Sequence, residues 1–276
     1  MKPALRPAGK PPVALTIAGS DSGGGAGIEM DLKVFAALGV FGTCAITALT
    51  AQNTAGVRGA WEVPAEFVAA QIEAVLDDMP VAAAKTGMLS SEAVVRAVVE
   101  VVRRRRLAPL IVDPVVVAKD GTHLLSEGGV AAIRDELAPL ATVLTPNIPE
   151  AAALLDEKIE SAEDLARAAA KLRALGCTWV VVKGGHLSGP EVTDLLLGPD
   201  GEQALTSPRI TGGPVHGTGC ALSAAIAAYL ARGHSIPEAV KAARVFVQQL
   251  LHQAHALGRG ALVLHPQTPA PEAGTQ

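Results

Sequence analysis

Aromatic residues are scarce in this chain, 3% of 276 positions. That is too few to build the platforms on which proteins stack successive nucleic-acid bases. Positive charge is limited too: 23 Lys and Arg against 27 Asp and Glu give a net charge of −4, whereas a nucleic-acid partner calls for a basic face. The one basic run, Arg103 to Arg106, ends a helical pattern, where it complements the helix dipole and stays solvated. Cys44, Cys177 and Cys220 are an odd set without C-x-x-C spacing. They argue against a disulfide framework or a zinc site and fit a reducing, cytoplasmic setting. No stretch of about 20 residues is free of charges and turn-formers in the manner of a membrane span. The basic, proline-rich start MKPALRPAGKPP lacks the apolar centre of a secretory signal. There is no G-x-S-x-G elbow to supply a hydrolase nucleophile, and no two histidines have metal-site spacing.

What the chain has is aliphatic: 49% apolar residues and only 18% charged, enough to bury a sizeable core and to exclude a disordered chain. Short β-branched runs alternate with longer amphipathic stretches. Strands are expected at 13–18, 44–51, 81–85, 110–113, 142–145 and 178–183, with helices at 63–77, 90–106, 126–140 and 161–175. Pro199-Asp200-Gly201 between two extended runs predicts a hairpin over 191–209. A helix starts near Thr218, and Ser235-x-x-Glu238 is a capping box for the last one. Alternating strand and helix units predict a mostly parallel sheet covered on both faces. One domain is expected over 13–264, with a flexible extension at 1–12 and a flexible tail at 265–276.

In such sheets ligands lie at the carboxyl ends of the strands. The residues expected there are rich in glycine and polar groups: Gly19-Ser-Asp21, Gln52-Asn-Thr54, Thr86-Gly-Met88, Asp113-Pro-Val115, Asn147 to Glu150 and Gly184-Gly-His186. The glycine stretch Gly23 to Gly27 fails the dinucleotide spacing, because Ile28 stands where a glycine is required, and it is no Walker A loop either. It reads instead as flexible backbone approaching a small ligand, with Asp31 on the helix that follows. Gly217-Thr-Gly-Cys220 leads straight into an alanine-rich helix. Its exposed N–H groups and the helix N-terminus form an anion hole for a phosphoryl group gaining charge. Cys220 sits where a thiol pKa falls toward neutrality, suiting it to take a proton from a substrate hydroxyl; alone it would read as packing. Asn147 and Glu150 could orient hydrated Mg²⁺ and nucleotide phosphates, although Asn147 is equally an ordinary N-cap. Asp113 is a second candidate for the metal shell. Lys183 reads as a phosphate partner or as half of a structural ion pair.

Ala18 to Ile28 with Asp31-Leu-Lys33, and Thr47 to Thr54, resemble the hydroxymethylpyrimidine/phosphomethylpyrimidine kinases of thiamine biosynthesis. So do Lys85 to Met88, Asp113 to Val115 with Ala118 to Gly121, Thr145 to Glu150, Val182 to His186 and His216 to Cys220, in the family's order. The resemblance implies a ribokinase-like α/β/α sandwich that uses ATP and Mg²⁺. It also implies two phosphorylations at one site, first of a pyrimidine hydroxymethyl group and then of the monophosphate. Substrate contacts map onto Gly19, Asp31, Gln52, Met88 and Val115. The Gln52 amide can pair with the donor and acceptor edge of an aminopyrimidine. Family habit implies a homo-oligomer, a dimer, and the nearest alternative is a pyridoxal or pyridoxine kinase. Gly24 and Met30 replace residues that are often Ser and Ala, and Gly212 to Val215 replaces a stretch that is often polar.

Overall fold

In the computed structural model, which describes residues 9–116 and 124–267, the chain alternates between strands and helices from Val13 onward. The first half runs β1 (Val13–Ala18), α1 (Gly27–Ala37), β2 (Phe41–Ile46), the hairpin β3 (Ala48–Asn53) and β4 (Gly56–Glu62), α2 (Ala65–Asp78), β5 (Val81–Thr86), α3 (Glu92–Arg105) and β6 (Leu110–Val112). It continues with α4 (Glu127–Ala132), β7 (Val143–Leu144), α5 (Ile148–Leu155), α6 (Ala162–Ala174) and β8 (Trp179–Val182). The chain closes with β9 (Glu191–Gly198), β10 (Gly201–Pro208), β11 (Val215–His216), α7 (Thr218–Ala231), α8 (Ile236–His252) and β12 (Leu262–Val263).

The central sheet has the order β10-β9-β8-β7-β6-β5-β1-β2. It is parallel from β2 to β8 and antiparallel at β9 and β10. Successive strand residues point to opposite faces, and the apolar runs serve both. Leu110, Val112, Leu144, Val180 and Val182 join the core beneath α2 to α6. Ile111, Val143, Trp179 and Val181 join the core beneath α1, α7 and α8. This is the expected three-layer α/β/α sandwich. Helix α7 lies between the sheet, α1 and α8, and its residues Ala221 to Ala228 are all buried. That explains why it carries no polar face to read in the sequence. Ser235 and Glu238 cap α8 as expected, with the Ser235 N–H and hydroxyl both donating to Glu238 Oε2 at 3.0 and 2.6 Å. Among the described residues no helix is long and apolar enough to cross a membrane.

Two expectations need correction. The strand expected at 44–51 breaks at Thr47, whose N–H turns back to the Ala18 carbonyl at 3.0 Å. Beyond it, β3 leaves the sheet and pairs with β4, a strand whose seven residues are all exposed and give no burial pattern. The helix expected at 126–140 is α-helical only to Ala132, then widens to a π turn and tightens to a 3₁₀ turn around Pro139. The termini expected to be flexible, and the Ala118 to Gly121 match, fall mostly or wholly outside the described residues.

One connection matters later. The hairpin tip is tied to the last segment of the fold, since Ala261 N–H donates to the Thr54 carbonyl at 2.8 Å and Gly260 N–H to Thr54 Oγ1 at 3.3 Å. That segment runs directly into β12, which pairs in parallel with β11 just before the Gly217 turn.

Candidate active site

The glycine loop after β1 is wired rather than loose. Asp21, two residues past Gly19, folds its carboxylate back into the loop. Oδ1 accepts from Gly23 N–H at 2.8 Å, and Oδ2 accepts from Gly25 and Ala26 N–H at 3.0 and 2.9 Å. Glu29 accepts the Asp21 N–H at 2.7 Å, and Lys33 donates to the Gly24 carbonyl at 2.6 Å. The expectation of flexible backbone is therefore corrected: the glycines are needed for close approach. At Gly19 a Cβ would strike the Met88 side chain, and at Gly25 it would come within 2.7 Å of the His216 ring. Gly19 and Met88 are thus in contact, and the Gly19 N–H donates to the Met88 carbonyl at 3.2 Å. Gln52, on β3, reaches His216. Val115 is half-buried and donates its N–H to the Asp113 carbonyl at 2.9 Å.

Asp31 is placed differently from its expected role. It is sealed at 0% exposure, with Oδ2 accepting from Lys85 Nζ at 2.7 Å and Thr16 Oγ1 at 2.6 Å, while Oδ1 has no partner. Lys85, on β5, is sealed as well. Burial opposes the Lys85 charge, but Asp31 outweighs it and holds the ammonium above its ordinary range. A substrate contact at Asp31 is thereby corrected to a buried ion pair beneath the site.

Asp113, Glu150 and Lys183 come together as anticipated, but in a different relation. Lys183 Nζ lies 2.9 Å from Asp113 Oδ1 and 3.6 Å from Glu150 Oε2. Asp113 also accepts from Thr145 Oγ1 at 3.2 Å and Ser223 Oγ at 3.1 Å. Burial works against the Asp113 charge, but Lys183 and then Lys85 hold its carboxyl below the usual range. Glu150 goes the other way: burial, reinforced by Asp113, pushes it up to about 7 in spite of Lys183. Asn147 and Glu150 form the capping box of α5, with Glu150 N–H donating to Asn147 Oδ1 at 2.8 Å and Asn147 N–H to Glu150 Oε2 at 2.7 Å. Both the cap and the ion pair are real, so neither residue is idle in this state.

These contacts test the metal expectation. Both Asp113 oxygens are taken by protein donors, and Lys183 engages both carboxylates. Among the described residues no group of three His, Cys, Asp or Glu could hold a metal ion. Direct coordination by both Asp113 and Glu150 does not fit these contacts, whereas orientation of a hydrated ion needs few protein oxygens. Glu150 Oε1 has no hydrogen-bond donor among the described residues, the one carboxylate oxygen of the set left open.

The Gly217 turn lies directly over this charge cluster. A Cβ on Gly219 would sit 3.3 Å from Lys183 Nζ and 3.7 Å from Asp113 Oδ2. The first backbone bond of α7 runs from Ala221 N–H to the Gly217 carbonyl at 2.9 Å. The N–H groups of Thr218, Gly219 and Cys220 therefore have no acceptor within the helix, as at any helix start, and can receive an anion. Gly217 has φ +79°, and a Cβ there would land on the Gly25 carbonyl oxygen. Gly217→Ala is expected to lower stability by about 1–3 kcal/mol through the backbone conformation alone, and to cost more as the two loops separate. Thermal unfolding with and without nucleotide measures both effects.

Cys220 corrects a further expectation. Its thiol is pushed up to about 11 by burial, against the pull of Lys85 and a hydrogen bond from the Gly27 backbone, with Asp31 and Asp113 adding to the rise. Desolvation outweighs the helix terminus here. Sequence reading placed Asp21 and Lys85 within motifs without giving either a role of its own, and it passed over Ser223. The available signals were a lysine inside an apolar strand and one hydroxyl three residues after Cys220 on an otherwise apolar helix.

Comparison with known proteins follows this geometry. The family model for phosphomethylpyrimidine kinase matches residues 21–265. A hydroxymethylpyrimidine/phosphomethylpyrimidine kinase from Streptomyces coelicolor is 48% identical over 250 residues, covering 91% of this chain and 92% of that protein. Among solved structures, a Bacillus subtilis pyridoxal kinase in an ADP complex superposes with TM-score 0.88 at 34% identity, covering 94% of this chain and 98% of that one. A phosphomethylpyrimidine kinase from Clostridium difficile 630 gives TM-score 0.77 at 40% identity, covering 86% and 98%.

Proposed function

This chain belongs to the phosphomethylpyrimidine kinase family, and we propose that one site carries out both of its phosphoryl transfers from ATP. The first acceptor is the hydroxymethyl group of 4-amino-5-hydroxymethyl-2-methylpyrimidine and the second is the resulting monophosphate, on the thiamine route that the sequence resemblance implies. The observation that carries this reading is the Gly217–Cys220 turn at the N-terminus of α7, set over Lys183 and Asp113. Phosphoryl transfer needs little from a protein beyond positioning and charge stabilisation, and these groups supply both.

In this reading the N–H groups at Gly217, Thr218 and Gly219 receive the oxygens of the transferred phosphoryl group. Cys220 takes the proton of the attacking hydroxymethyl. Lys183 follows the phosphates, and the Asn147 amide, whose oxygen is committed to the α5 cap, turns its NH₂ toward the nucleotide. Gln52 pairs with the aminopyrimidine edge, while Gly19, Met88 and Val115 enclose the ring. Asp31 acts from below by holding Lys85. Magnesium enters with ATP and needs few protein oxygens because it keeps its waters; Glu150 Oε1 is the oxygen left for that hydrated ion. When bound, the metal neutralises phosphate charge.

The test is mass detection of mono- and diphosphorylated pyrimidine after incubation with Mg-ATP. Appearance of both products, dependent on pyrimidine, supports the reading, and ADP release without either product overturns it. The TM-score of the pyridoxal kinase keeps pyridoxine as the alternative substrate, so turnover of the two hydroxymethyl compounds is compared directly. Gln52 favours the aminopyrimidine.

The protein is further proposed to work as a homodimer. Phe41 on β2, Trp61 on β4 and Phe67 on α2 are 52%, 68% and 60% exposed, large apolar groups of the kind that a subunit contact covers. Light scattering at micromolar concentration is expected to give twice the chain mass, and Trp61→Ser to shift it toward the monomer.

A further inference from the structure

His216 stands immediately before the catalytic turn, yet its side chain serves the other end of the site. Its Nε2 lies 3.1 Å from Asp21 Oδ2 and 2.9 Å from the end of the Gln52 amide assigned as nitrogen. A ring nitrogen has one in-plane position, which holds either a proton or a lone pair. Asp21 decides between them. Its carboxylate is 2% exposed and takes three backbone N–H bonds. Burial opposes its charge, but the bonds from His216 and Gly23 outweigh that and keep the carboxyl below its ordinary range. An ionised carboxylate only accepts hydrogen bonds, so the Nε2 facing it carries the proton. A protonated nitrogen cannot also accept from an amide N–H.

The Gln52 atom facing His216 is therefore the carbonyl oxygen, since the two ends of a terminal amide are told apart only by their hydrogen-bond partners. The remaining contacts agree. The Gln52 NH₂ then faces Thr50 Oγ1 at 3.2 Å. That oxygen is ready to accept, because its own hydrogen goes to the Ser20 carbonyl at 2.8 Å. Every polar atom in the chain Ser20, Thr50, Gln52, His216 and Asp21 has a complementary partner. With the opposite assignment, a bare Nε2 would confront a carboxylate across 3.1 Å.

We propose that His216 is a positioning residue for substrate recognition, fixing the Gln52 amide through its Nε2–H so that one N–H and one oxygen lone pair of defined polarity face the pyrimidine. The amide orientation rests on the geometry alone. Its use in recognition rests on the reading of Gln52 as the aminopyrimidine contact. A pyridine ring without an adjacent amine and ring nitrogen draws no benefit from this orientation, so His216 contributes to discrimination between the two substrate classes.

The first test needs no turnover. Long-range ¹H–¹⁵N spectra of the full chain labelled at histidine, with His216 assigned by its loss in a variant, are expected to show a proton on Nε2. A neutral ring protonated only on Nδ1 overturns the proposal. The second test is kinetic. His216→Phe removes the donor, whereas His216→Gln keeps an N–H near the Nε2 position. Loss of one oriented hydrogen bond is expected to raise KM for the aminopyrimidine by about 3- to 10-fold in the Phe variant, with a smaller change in kcat. KM for pyridoxine should stay unchanged, and the Gln variant should recover most of the loss. On a Gln52→Leu background, His216→Phe should add nothing further, because the two act through one interaction. Equal loss on both substrates without rescue by Gln overturns the role. Wild-type turnover of pyridoxine alone would overturn both the recognition half and the functional reading beneath it, and the spectrum would still decide the amide orientation. Should the Phe variant fail to fold, the wild-type spectrum and the Gln variant carry the test.

Discussion

Cys220→Ala is expected to slow the first phosphorylation by about 10²- to 10⁴-fold, the usual worth of a positioned general base, and the second by far less. The first nucleophile is an alcohol that must lose a proton as it attacks. The second is a phosphate oxygen, already ionised, which asks nothing of a base. The thiol at about 11 is neutral at rest, and its thiolate fraction grows tenfold with each pH unit below that value. The first step should therefore keep accelerating between about pH 8 and 10. Glu150, raised to about 7, is ionised before that range begins, so the second step should level off there. Single-turnover assays of the two steps across pH separate these behaviours. Equal loss in both steps after Cys220→Ala would remove the base assignment.

A stability loss of about 3–5 kcal/mol is expected for Asp31→Ala, the range found when one member of a buried ion pair is deleted. Lys85 would then hold its charge at 0% exposure with its nearest acceptor gone. Removing both charges, as in Asp31→Ala with Lys85→Met, should restore most of that loss, because an apolar replacement of a buried pair is often neutral. Urea unfolding of the three proteins gives the comparison. A double variant as unstable as the single would show that the pair's hydrogen bonds, rather than the orphaned charge, dominate. In the double variant the opposing pulls of Lys85 and Asp31 on Cys220 disappear together, so the pH dependence of the first phosphorylation should stay close to that of the wild type.

The main sheet was legible because its strands are buried on two faces and its helices on one. Each kind of burial leaves its own spacing in the sequence. The β3–β4 hairpin was half visible. Its second strand, Gly56–Glu62, is exposed along its whole length, so it has neither apolar alternation nor a continuous apolar run. The candidate site was legible where its residues follow directly on strands, as at Gly19, Asp113 and Lys183. It was illegible where a partner lies far along the chain. Lys85 is 54 residues from Asp31, and His216 is 164 residues from Gln52. The apolar strand around Lys85 hints that the lysine is sealed, but nothing local names the carboxylate that meets it. The same limit explains Cys220. A helix terminus can be read from Gly217 to Cys220, but the degree of burial that reverses the expected shift depends on α1 and the sheet closing around it.

The tie between Thr54 and the 260–261 segment, continued by the pairing of β12 with β11, has a consequence for how the protein is made. The strand that leads into the Gly217 turn is paired by Leu262 and Val263, so the turn lacks part of its support until those residues are in place. In order of synthesis the central sheet is complete with β10, whereas β11 waits for a partner strand that comes only after α8. Pairing of β12, rather than formation of the central sheet, is then the step that completes the support of the Gly217 turn.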